Sequence, residues 1–200
     1  VQFSSGPDRG YLGLSAKATK GTGDIGFKNP GLGTVDKNLN LNLSAKYKEQ
    51  LTQTVKLLKL PETDSQRKPY IRSRPAVKKE TEKIGIQILA AMRDEMFLRL
   101  KKMKQPELIE YLKTDWMDAN IMLPSYVKVT GKGTTNFSAD VMDPVNNPKL
   151  KALAANNITL EKVGNESIGV KAGDKKIMKI RFKFESEKMA SSIKLSGDPW

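Results

Sequence analysis

Asp140, Asp143 and the run Asp174-Lys175-Lys176 are the residues of this 200-residue chain whose types and spacing could do hydrolytic chemistry. A carboxylate on one strand and a D-x-K pair on a neighbouring strand can hold Mg2+ between them while the lysine orients a water molecule. Composition closes most other routes. The chain has no Cys and no His, which removes thiolate nucleophiles, imidazole bases, disulfides and the usual zinc ligands. With 35 Lys and Arg residues, a D-x-K match is expected by chance. Asp174 also follows Gly173 and reads as a turn residue between strands. A Mg-dependent nuclease is therefore the weakest of three readings, and no enzyme, cofactor or resident metal is expected.

Two glycine runs raise the question of phosphate binding. "GTGDIG" at 21–26 has the letters of G-x-G-x-x-G, yet no apolar strand precedes it and no helical pattern follows it. "GKGTT" at 131–135 lacks the earlier glycine of a phosphate loop and fits a hairpin turn after "YVKVT". Neither run supplies the strand–loop–helix context that gives such motifs their mechanism.

Positive charge is the stronger signal, and it is unevenly placed. The net charge is +13, and residues 41–104 hold sixteen basic groups against seven acidic ones. Within them, "RKPYIRSRPAVKKETEK" offers Arg67, Lys68, Arg72, Arg74, Lys78 and Lys79 to a phosphate backbone or an acidic protein surface, with Tyr70 as a stacking group. A second stripe, Lys179, Arg181 and Lys183 with Lys175 and Lys176 before it, alternates with apolar residues as any half-exposed strand does.

The elements that must position these groups follow from periodicity. Residues 1–40 hold eight of the fifteen glycines and show no regular period, but Phe3, Tyr11, Leu12, Leu14, Ile25, Phe27 and Leu32 punctuate them. That composition fits an extended arm whose apolar side chains dock on a neighbouring subunit. Tyr47, Leu51, Val55 and Leu58 mark one helix, ended by Pro61. The segment 61–75, with three prolines and no period, reads as an extended connector. Ile84, Ile88, Met92, Met96, Leu100 and Met103 define a long helix over 76–104, its apolar face widened by Ile86, Leu89, Ala91 and Phe97. Pro106 opens a shorter helix, and Pro148 another that ends near Ala155. The remainder reads as strands: "ITLEKVGNESIGV" as a hairpin, "IMKIRFKF" with Met178, Ile180, Phe182 and Phe184 facing inward, and "SSIKL" as a final edge.

The expected fold is α+β: an N-terminal extended Gly-rich arm, two or three helices, then a small antiparallel sheet. The expected divisions are an arm at 1–40, a basic helical region at 41–124 with its connector at 61–75, and a β region at 125–200 packed with 76–124. No apolar run is long enough to span a membrane, and no secretory core is present, so a soluble, unexported chain is expected. The expected role is structural: a component of a large assembly, foremost a phage or virus virion protein of the head, neck or tail. Its arm and basic connector would contact other subunits, and it would reside in the virion after assembly in the host cytoplasm. A cytoplasmic nucleic-acid-binding protein of ribosomal or ribonucleoprotein type is the alternative.

Overall fold

The computed structural model describes residues 27–117 and 148–200 in full, together with the backbone of five strands outside them. In chain order the elements are β1 (Gln2–Phe3), β2 (Gly10–Tyr11), β3 (Gly13–Thr19), α1 (Leu32–Leu39), α2 (Leu43–Leu57), α3 (Asp64–Arg72), α4 (Pro75–Lys101) and α5 (Gln105–Tyr111). The last runs into a π-helical turn, Leu112–Trp116. There follow β4 (Tyr126–Lys132), β5 (Ser138–Met142), α6 (Pro148–Ala155), β6 (Ile158–Val163), β7 (Ser167–Ala172), β8 (Lys175–Phe184) and β9 (Ile193–Pro199).

The fold is α+β. Strands β6-β7-β8-β9 form an antiparallel meander in sequence order, and α1, α4, α5 and α6 pack against it. Its helix-facing side carries Ile158, Ile168, Val170, Met178, Ile180, Phe182 and Leu195, all buried. The register of β7 on β8 shifts between Val170 and Lys171, which leaves Ile177 as an extra residue. A bulge turns two successive side chains to one side, so Ile177 and Met178 are both buried despite the strand's period of two. Gly164 and Gly173, at φ 58°, supply the left-handed turns of the β6–β7 and β7–β8 hairpins. A separate sheet pairs β3 parallel to β4 and β4 antiparallel to β5, and β1 pairs with β2.

Helix α4 forms as its periodicity requires: Ile88, Met92, Met96 and Leu100 are buried in steps of four, with Leu89 beside them. Ile86 and Ala91, expected to widen that face, are exposed instead. Gly85 allows a close approach, since a Cβ there would lie 2.7 Å from Cδ of Lys188. Helix α6 occupies the expected residues, with Leu150 and Leu153 buried.

Two segments differ from expectation. The region read as an arm contains α1, whose Leu32, Val35 and Leu39 are buried one helical face apart, and the described core begins at Phe27. Phe27 and Leu32 thus pack in the chain's own core and not on a neighbour. Asn40 closes α1 in the left-handed region, and the Asp36 carboxylate then accepts from the Leu43 and Ser44 amides at 2.7 and 2.9 Å, capping α2 from outside. The connector at 61–75 is largely helical, as α3. Arg67 and Ile71, four residues apart, both point inward, so tertiary anchoring holds this nine-residue helix although Pro69 removes a donor.

Candidate functional site

The basic stretch that opens the long helix meets the β8–β9 loop, residues 185–192, and the two must be read together. Arg67 is 3% exposed. Its Nε donates to the Met189 carbonyl at 2.9 Å, its Nη1 to the Pro61 carbonyl at 3.2 Å and to the Glu62 carbonyl, and Asp64 lies against its Nη2. A buried cation is tolerable when its donors are met this fully. Tyr47 lies near the guanidinium and donates to the Ser191 carbonyl at 2.7 Å, with its ring edge-on to Phe184. Burial pushes the Tyr47 phenol up to about 12, while the Arg67 charge pulls the other way. Arg67 is therefore a structural clamp on the loop, which removes it from the exposed basic set.

Three further members of that set surround one carboxylate. Arg72 Nε lies 2.7 Å from Glu187, and this bond, helped by the charges of Lys78 and Lys68, holds Glu187 below its usual range. The neighbouring Glu185 is lowered mainly by Lys194 at 2.6 Å, with Ser192 and Lys68 contributing. Arg74 lies 3.9 Å over the Tyr70 ring and is exposed, as is Lys79. The surface thus keeps its positive excess at Arg74 and Lys79, while Lys68, Arg72 and Lys78 share internal counter-ions.

The outer side of the four-stranded sheet holds the second stripe. Lys179 and Lys183 lie there, and Arg181 pairs with Asp198 at 3.0 Å. Trp200, which no spacing in the sequence pointed to, lies against Gly169, where a Cβ would come within 2.5 Å of the ring. Lys176 and Lys171 flank the indole at 4.6 and 5.4 Å. The bare backbone of Gly169 and the two lysines are what seat it.

The remaining candidates do not converge. Asp140 belongs to β5, whose sheet partner is β4, whereas Asp174 lies in the β7–β8 turn with Lys175 and Lys176 exposed beside it. Asp140 and Asp174 therefore do not stand on neighbouring strands of one sheet. Among the described residues no group of three or more acidic side chains could hold a metal ion, and no helix is long and apolar enough to cross a membrane. Leu12, Ile25, Asp143 and the side chains of Phe3, Tyr11, Leu14 and Asp140 lie outside the described residues. No protein-family model, no curated protein and no solved structure matches the chain.

Proposed function

We propose that the protein is a structural component of a large macromolecular assembly, foremost a phage or virus virion protein of the head, neck or tail. The observation that carries this reading is the use of extended backbone as an adhesive. Phe27 donates its N–H to the Gly197 carbonyl and Gly197 donates back to the Lys28 carbonyl, both at 2.9 Å, so the incoming segment is laid along the β9 edge. Upstream of that point stand Phe3, Tyr11, Leu12, Leu14 and Ile25, apolar side chains suited to the same kind of docking on a neighbouring subunit. Arg74 and Lys79 offer a second contact to an acidic neighbour. Immunodetection in density-banded particles from the organism that makes the chain tests this. Co-banding, with residues 1–26 resisting protease in the particle and cut in the free protein, is the expected result; absence from every particle band refutes it.

Nucleic-acid binding is the second reading, and the Trp200 ring between Lys171 and Lys176, over the Gly169 that pairs with Lys179, with Lys183 farther along the same strand, favours it. A basic sheet face with an aromatic group suits single strands. Under this reading, retention on single-stranded DNA falls steeply with salt, and changing those four lysines to Gln flattens the dependence. Unchanged retention in the fourfold variant counts against it.

A further inference from the structure

Strand β6 offers a place for another extended chain. The Gln105 side chain bonds both backbone groups of Ile158: Nε2 donates to the carbonyl at 2.9 Å, and Oε1 accepts from the amide at 2.8 Å. The Ile158 groups therefore point away from β7. Direction alternates along an antiparallel pair, and the β6–β7 register is unbroken, so the N–H and C=O of Leu160 and Lys162 point outward too. No described residue pairs with them. Beside this edge runs a groove of about 320 Å³ lined by Leu100, Lys101, Met103, Leu108, Ile158 and Leu160, with Gln105 among its walls.

We propose that this edge and groove bind an extended segment of an acidic protein partner, added antiparallel to β6 with an apolar side chain opposite Leu160 and a carboxylate opposite Lys162. A residue opposite Leu160 would exchange both backbone bonds with it and project to the same face, over Leu100, Met103 and Leu108. Two residues earlier in the incoming chain, the side chain would meet Lys162 and Lys101, whose Nζ atoms both lie 5.5 Å from the Phe97 ring. Asp94, 2.9 Å from Lys162, is already shared with Arg93 at 2.5 Å. Among the described residues, Lys101, Lys102 and Lys104 have no acidic partner. Charge thus selects the occupant: a second copy would bring the same lysines against one another on chains of net charge +13, whereas an acidic segment neutralises them.

The proposal does not rest on the assembly reading, because it is argued from β6, Gln105 and the neighbouring lysines alone. The test uses the full chain and two labelled peptides, Ser-Thr-Asp-Thr-Leu-Thr-Ser and its counterpart with Lys for Asp. Fluorescence polarisation gives affinity, and NMR hydrogen exchange follows the Leu160 and Lys162 amides. The Asp peptide should bind and slow exchange at both amides. Lys162→Gln should weaken it severalfold, and Lys162→Glu should weaken it tenfold or more while favouring the Lys peptide. No protection at millimolar peptide, or equal binding of the two peptides, overturns the proposal. So does protection of the same amides by concentration-dependent self-association without peptide, which would assign the edge to a second copy.

Discussion

At the β9 edge of the four-stranded sheet the chain covers its own backbone with Phe27 and Lys28, while at the β6 edge no described residue pairs with Leu160 or Lys162 and one side-chain amide, Gln105, holds their neighbour. Open edges invite pairing with other chains, and proteins either cover them or blunt them with charge. Covering requires sequence on both sides of the contact. Gly197 is needed because a Cβ there would meet Cβ of Phe27 at 2.8 Å, and Phe27 supplies apolar burial. The β6 edge requires far less, since Gln105 is exposed and Lys162 stands as a charged guard. The difference teaches that one edge belongs to the core's stability, while the other is left to the proposed partner.

The largest expected effect tests the closed edge. Phe27 is 2% exposed, so Phe27→Ala should cost about 3–5 kcal/mol in urea unfolding. Deleting residues 1–26 while keeping Phe27 should change that free energy far less. Equal losses would mean that the upstream segment, and not the edge contact, secures the sheet.

Next comes the loop that leads into β9. Tyr47 is held neutral in the folded state to about pH 12, against 10.0 when unfolded. Its folded pKa is raised, so the contribution is complete below pH 10 and is lost as pH climbs toward 12. At about 1.4 kcal/mol per unit, those two units amount to roughly 2–3 kcal/mol. Tyr47→Phe should lower stability at pH 8 by losing the Ser191 bond, yet its disadvantage should shrink or reverse between pH 10 and 12 in denaturant titrations. Parallel curves across that window would place the alkaline transition elsewhere.

A smaller loss is expected from Gly197→Ala. Besides Phe27, the new methyl would meet Met178 Cε at 3.0 Å and the Lys28 carbonyl at 3.3 Å. Met can shift, but the Phe27 backbone neighbour must move, so about 1–3 kcal/mol is expected in thermal unfolding. Ala tolerated without loss would show that the covering segment rides loosely on β9.

How much of this was legible in sequence depends on whether a residue's partner is near in the chain. Helix α4, helix α6 and the inward face of β8 could be read because periodicity is local. Helix α1 was hidden by Gly31 and Gly33 flanking Leu32, although Leu32, Val35 and Leu39 have helical spacing. Helix α3 was hidden because one of its two inward positions is Arg67, and charge in a sequence does not say which way it points. The carbonyls that bury it, from Pro61, Glu62 and Met189, leave no side-chain pattern at all. The same holds for Gln105 and Ile158, where a side-chain amide meets backbone groups 53 residues away.

The smallest predicted effect falls on that last pair. Gln105→Ala removes two hydrogen bonds of 2.8 and 2.9 Å, which in a dry interior would leave two orphaned groups. At the β6 edge Gln105 is exposed, so water can take over both roles. The expected cost is therefore about 1 kcal/mol, well below that of Phe27→Ala. The local readout should be larger than the global one: exchange at the Ile158 amide should speed up many-fold, to resemble Leu160 and Lys162, while amides of β8 keep their protection. The same variant lengthens the open edge by one residue pair, so it should bind an extended acidic peptide at least as well as the parent. A loss of 3 kcal/mol or more, or unchanged protection of Ile158, would mean that the β6 edge is closed in the way the β9 edge is, and the contrast between them would fail.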